Sequence, residues 1–215
     1  MDSAYPHDLM SDPDELASFK GWSKEVYQDF LALQCGDLSE KEFRTKYHKR
    51  CAIMVLDMTG FTSTAIRVGE LQSLLRILDA QKVCIPVLRE FEASLVRCFA
   101  DDIIALFDEP SVALEAAFEI HRRIAVFNGS NHAYSYATEC CIGIGYGDVL
   151  GIGPNLSQGD EMNRASKLGE DIARAKEVLL TEKAYEGLTE MEHLKFEKQG
   201  QDDQLFPFYR AMIRD

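Results

Sequence analysis

The chain has 215 residues, 46% apolar and 27% charged, with a net charge of -13, the composition of a soluble globule with a sizeable core. That charge disfavours binding to nucleic acid, which rests on neutralising phosphates, so an anionic substrate needs a local cation or a metal. No apolar run approaches the roughly 20 residues that span a bilayer, and the acidic start MDSAYPHDLMSDPDEL lacks the pattern of a signal peptide; no membrane is expected, and the chain reads as cytoplasmic.

Residues 1–50 read as a polar, helical amino-terminal arm. Asp12-Pro13-Asp14-Glu15 and Ser39-Glu40-Lys41-Glu42 both fit a capping box at a helix start. The basic cluster KYHKR at 46–50 reads as a solvated helix face. From Cys51 the pattern changes. CAIMVLD at 51–57 is a continuous apolar run ending in a charge, the signature of a buried strand. A helix follows with Leu71, Leu74, Leu75 and Leu78 at i, i+3, i+4 and i+7, and Pro86 marks a kink or break before Phe91.

Two short strands, 93–100 and 102–108, form a hairpin about Asp101-Asp102. A second helix starts near Pro110, carries Leu114, Ala117, Phe118, His121 and Ile124 on one face, and ends at Asn128-Gly129. ECCIGIGYGDVLGIG at 139–153 reads as two glycine-interrupted strands. A third helix starts near Asp160, and strands are expected at 177–181 and 205–213. Strand, helix, hairpin, helix, strand is the order of an α+β, ferredoxin-like (βαββαβ) domain, elaborated here at its carboxyl end. The six cysteines, Cys35, Cys51, Cys84, Cys98, Cys140 and Cys141, show no CxxC spacing and read as reduced, buried thiols.

Three clusters carry chemistry. Asp57 ends the first strand and Asp101 sits in the hairpin beside it; two carboxylates at neighbouring strand ends form a hard oxygen site for Mg²⁺ or Mn²⁺. On spacing alone each reads first as a solvated turn acid, and the residues that follow Asp57 shift the reading toward a metal site. Thr59-Gly60-Phe61-Thr62 leads into a helix whose first backbone N–H groups suit an anion. Asn163 and Lys167 lie one helical turn apart, where an amide and a cation can orient a ribose and offset phosphoryl charge, or simply be an exposed helix surface. No GxxxxGK[ST] occurs, and GIGYG at 143–147 lacks the GxGxxG spacing, so it reads as a closely packed strand.

Taken together, VLDMTGFT, VRCFADDIIALF, IGIGYGDVLGIG and GDEMNRASKL resemble the catalytic domain of class III nucleotide cyclases, over roughly residues 50–190. The resemblance implies a cyclase domain over 51–215, a head-to-tail homodimer with active sites shared between chains, and conversion of a nucleoside triphosphate to a 3',5'-cyclic nucleotide and pyrophosphate. It implies two Mg²⁺ or Mn²⁺ ions per site on Asp57 and Asp101, with a carbonyl from Met58. Terminal phosphates would lie at Thr59, Gly60, Phe61 and Thr62, and the ribose at Asn163. Lys167 falls where the family usually has an arginine, so the cation is kept and its bidentate fork lost. The late phosphate-binding lysine aligns near Pro207, with only Lys198 or Arg210 as substitutes.

The base-reading positions of adenylate cyclases, a lysine and an aspartate, match Arg97 and Leu156. Leucine offers adenine's amino group no acceptor, and Arg97 only donates, which suits the carbonyls of uracil, cytosine or guanine. With its short chain and helical arm, the sequence most resembles the bacterial Pycsar pyrimidine cyclases. That resemblance implies an antiphage second messenger, cUMP from UTP ahead of cCMP, read by a separate effector protein. The alternatives are an adenylate or guanylate cyclase and a nucleotide-binding regulator that has lost catalysis.

Overall fold

The computed structural model describes residues 8–130, 137–152, 156–200 and 206–214. The chain divides into two compact units, one of residues 1–49 with 150–158 and one of residues 50–149 with 159–215.

In the first unit the caps set the helices. Asp12 accepts from the N–H groups of Asp14 and Glu15 to start α1 (Pro13–Ser18), and Ser23 accepts from Val26 N–H to start α2 (Lys24–Cys35), which stops at Gly36 in the left-handed conformation at φ 84°. Ser39 and Glu42 close the expected capping box of α3 (Glu40–Tyr47). Trp22, Tyr27, Phe30, Phe43 and Tyr47 form a chain of ring contacts 4.7–5.4 Å apart. The cluster KYHKR is not one helix face. Lys46 pairs with Asp29 and Glu25, while residues 48–50 open the strand β1 (His48–Met58), which starts before the expected Cys51.

In the second unit β1 leads to α4 (Phe61–Val68) and α5 (Glu70–Glu90), then to the hairpin of β2 (Leu95–Phe99) and β3 (Asp102–Phe107), and to α6 (Pro110–Gly129). The chain returns through β4 (Cys140–Ile152); the end of β4 from residue 150 and β5 (Leu156–Gln158) belong to the first unit, and α7 (Asp160–Ser166), again in the second, passes into a π-helical turn (Lys167–Ile172). It ends with β6 (Val178–Thr181), α8 (Glu182–Glu186), β7 (Leu194–Gln199) and β8 (Phe208–Ile213). Among the described residues the strands run in the order β2-β3-β1-β4-β6-β8-β7, with β5 paired to β4. Because β3 is antiparallel to both β1 and β2, β1 and β2 run parallel with β3 between them. That split βαβ unit confirms the ferredoxin-like α+β expectation.

From Cys51 to Leu56 β1 is apolar without a break because both of its faces are covered there. Ala52, Met54 and Leu56 join Val87, Leu88, Leu114 and Ile120 of α5 and α6 in the main core. Ile53 and Val55 pack on the other face with Leu106 and with Met162 and Ala165 of α7.

Several expectations are corrected. α5 does not break at Pro86 but runs on to Glu90. Its leucine stripe is turned outward, with Leu71 at 68%, Leu74 at 62% and Leu78 at 49% exposure, while Ala80, Cys84, Val87 and Leu88 are buried. β4 is one strand, not two. Its glycines pass under α7, where a Cβ on Gly143 would stand 2.2 Å from the Ala165 carbonyl oxygen and one on Gly145 2.5 Å from that of Glu161. Cys35 is exposed; the other cysteines are buried or half-buried and all are free thiols. No helix of the described residues is long and apolar enough to cross a membrane.

Candidate functional site

The site begins where β1 ends. The β1–β3 ladder pairs Leu56 with Ile103, so one further step sets Asp57 opposite Asp102. Strand alternation places Asp57 after Val55 on the sheet face away from α5 and α6. The β2–β3 ladder closes with Phe99 opposite Asp102, leaving Ala100 and Asp101 as a two-residue loop with Ala100 at φ 49°. Asp57, Asp101 and Asp102 can each present an oxygen within 4.8 Å of the others.

Three half-buried carboxylates this close repel one another. Asp57 is pushed up to about 7, first by burial and then by Asp101 and Asp102, against a hydrogen bond from Met58 N–H. Asp102 is pushed up to about 6 by burial, Glu170 and Asp101, with Arg97 opposing. Asp57 and Asp102 thus hold their protons to higher pH than free carboxylates until a cation takes their place, and an all-oxygen set fits Mg²⁺ or Mn²⁺. Asp102 was missed from the sequence. The signal was the Asp-Asp dipeptide: with Asp101 in the turn, the two neighbours need not follow the alternation that sends adjacent strand residues to opposite faces.

Behind Asp57 lies Cys141, a buried thiol whose Sγ is 3.6 Å from the Asp57 carbonyl oxygen and 3.6 Å from Thr59 Oγ1. Burial raises it to about 11, so it stays a neutral thiol. Met58 is buried. Thr59 N–H donates to the Glu139 carbonyl, Gly60 precedes α4 at φ 65° without a side-chain cap, and Phe61 opens the helix. The side chain of Thr62 lies outside the described residues.

Arg97 and Phe99 follow Leu95 on the same face of β2; the guanidinium lies 5.5 Å over the Phe99 ring, which is 66% exposed. Asn163 and Lys167 are exposed on α7 and the turn after it, and Lys167 Nζ donates to Asp171 Oδ2 at 2.6 Å. Among the described residues no hydrogen bond or ion pair joins either of them to the three carboxylates; from that turn it is Glu170 that acts on Asp57 and Asp102. Leu156 opens β5 opposite Ile152, and its side chain lies outside the described residues. Lys198 pairs with Glu182 and Arg210 with Glu177.

The chain matches no family model and no curated protein. Among solved structures it is similar to the adenylyl cyclase CyaB from P. aeruginosa, with a TM-score of 0.64 and 14% identity over 78% of this chain and 97% of that one. The adenylate/guanylate cyclase/hydrolase from Silicibacter pomeroyi gives a TM-score of 0.61 and 19% identity over 78% and 98%. The guanylate cyclase domain of RhGC from Catenaria anguillulae, in complex with GTP, gives 0.61 and 15% over 78% and 98%. The likeness is one of fold: the α+β architecture is that of these cyclase domains.

Proposed function

We propose that the chain is a nucleotide cyclase acting as a homodimer, and that its substrate is a pyrimidine triphosphate, UTP before CTP. The observation that carries this is the half-buried group of Asp57, Asp101 and Asp102, at the end of β1 and the β2–β3 turn of a cyclase-like fold. In the reaction the ribose 3'-oxygen forms a bond to the α-phosphorus, the bond from that phosphorus to the bridging oxygen of the β-phosphate breaks, and pyrophosphate leaves while the hydroxyl proton passes to solvent. Two Mg²⁺ or Mn²⁺ ions on Asp57 and Asp101, with the carbonyl of Met58, would lower the pKa of the 3'-hydroxyl and neutralise the triphosphate. Asp102 adds a third oxygen donor.

The other residues bind and orient. The first turn of α4, from Gly60 to Thr62, faces the terminal phosphates; its N-cap supplies no side chain to occupy those donors. Asn163 holds the ribose, and Lys167 offsets phosphoryl charge by leaving its exposed partner Asp171. Arg97, propped on Phe99, donates to base carbonyls, and Leu156 withholds an acceptor from an amino group. The GTP complex of a neighbour supports a triphosphate substrate, and a guanylyl cyclase domain from Blastocladiella emersonii described as a non-canonical dimer supports the capacity of such domains to pair. The exposed leucine stripe of α5 is an apolar face of the kind a second copy covers. By the same resemblance the cyclic product is a second messenger of antiphage defence, read by a separate effector.

Incubation of the purified chain with each of the four nucleoside triphosphates and Mn²⁺ tests the reading. cUMP with pyrophosphate is the expected product. Cyclisation of ATP or GTP alone would keep the enzyme class and remove the base assignment. Triphosphate binding without pyrophosphate release would favour a regulator without catalysis, a reading prompted by the pairing of Lys167, Lys198 and Arg210 with acids.

A further inference from the structure

α7 has only seven residues, and its N-cap, Gly159, makes no side-chain hydrogen bond. Even with the π-helical turn that continues it to Ile172, the run is short enough to depend on packing, since isolated helices below about 12–15 residues are marginal. Its placement comes from underneath. Glu161 is 1% exposed, and its carboxylate reaches across β4 to β6. Oε2 accepts from Thr181 Oγ1 at 2.6 Å and from Tyr146 N–H at 3.4 Å. Oε1 takes no hydrogen bond but faces Lys183 Nζ at 3.4 Å and Arg164 Nε at 3.9 Å. Thr181 Oγ1 in turn accepts from Ala184 N–H to start α8. The strand below leaves room for this one side chain: a Cβ on Gly147 would stand 2.8 Å from Glu161 Cγ.

A buried ionic group of this kind is a weak source of stability, because desolvation offsets most of its attraction. What it does supply is direction. At about 100° per residue, Asn163 lies roughly 200° and Lys167 roughly 240° around the helix from Glu161, so anchoring Glu161 inward turns both outward together. A roll of 20° would move a side-chain tip about 6 Å from the axis by roughly 2 Å, and displacements near 1 Å at a reacting centre lower rates by about 10²-fold.

We propose that Glu161 is a positioning residue that fixes the rotation of α7 and, through it, the aim of Asn163 and Lys167. This rests on the cyclase reading above for what Asn163 and Lys167 act on. The test compares wild type with Glu161→Ala, Glu161→Gln and Thr181→Val, the last keeping side-chain shape while deleting the donor. Turnover of the preferred triphosphate and backbone amide exchange at 160–167 are measured for each. Glu161→Ala is expected to lower kcat about 10–100-fold with KM within about threefold, and to speed exchange at 160–167 with the rest of the chain unchanged. Thr181→Val should move both in the same direction by less, and Glu161→Gln, which still accepts from Thr181, should recover most of kcat. Wild-type kcat in Glu161→Ala, or wild-type exchange at 160–167 in both Glu161→Ala and Thr181→Val, overturns the proposal. If wild type cyclises nothing, the cyclase reading falls with it, and the exchange data alone then decide whether Glu161 holds α7.

Discussion

Lys167 Nζ donates to Asp171 Oδ2 at 2.6 Å, four residues on, with both side chains at least half exposed. Exposed i,i+4 pairs contribute about 0.3–0.5 kcal/mol, so a triphosphate outbids this one with ease. Lys167→Ala should lower kcat by roughly 10²-fold or more while the melting temperature stays near wild type. Asp171→Asn should leave kcat within about threefold in the same assay.

Asp57 and Asp102 make stability depend on pH, and the group of three carboxylates makes it depend on metal. Burial and like charge raise Asp57 from 3.8 to about 7 and Asp102 from 3.8 to about 6. A folded value above the unfolded one means the contribution is full below pH 3.8 and lost as pH rises through 6 and 7. Metal-free protein should therefore melt at lower temperature as pH is raised from about 5 to 8, with the size of the fall limited because both groups are partly solvated. Mn²⁺ should reverse the fall, and most strongly at the alkaline end. Asp57→Asn should flatten the pH profile and abolish turnover; thermal scans at stepped pH, with and without Mn²⁺, read both.

If the active sites are shared between chains, two inactive variants should complement each other. Asp57→Ala and Asn163→Ala, each dead alone, should recover about a quarter of wild-type activity after subunit exchange, since random pairing gives half heterodimers with one good site of two. Absence of recovery in a mixture shown to exchange would place each complete site within one chain.

Ala100 occupies the first position of the two-residue loop between β2 and β3 at φ 49°, a conformation that a Cβ disfavours by roughly 1 kcal/mol and glycine adopts freely. Ala100→Gly should raise stability by about 0.5–1 kcal/mol in chemical denaturation. Turnover should remain at wild-type level, because the loop keeps its geometry and with it the placement of Asp101 and Asp102.

Much of the fold was legible because its signals are local. The apolar run to Asp57, the capping box at Ser39 and the face of α6 from Leu114 to Ile124 each report on neighbouring residues in the chain. The helix does not break at Pro86, because packing of Cys84, Val87 and Leu88 in the core outweighs the hydrogen bond that a proline removes. β7, with its modest alternation at 194–199, was missed because only its pairing with β8 declares it.

The sequence alone determined the strand, helix, hairpin, helix, strand order of the core and the kinds of groups available: carboxylates at a strand end and a hairpin, an amide and a cation on a short helix. Tertiary structure decided which of them meet. Asp102 joins Asp57 and Asp101 only through strand register and a tight turn, Lys167 is held by Asp171, and Glu161 proves to be an anchor under α7 where the sequence shows one acid among many. Periodicity fixes which side of a helix or strand a residue takes, but the partner on that side comes from chain distant in sequence, and so do its charge and its distance.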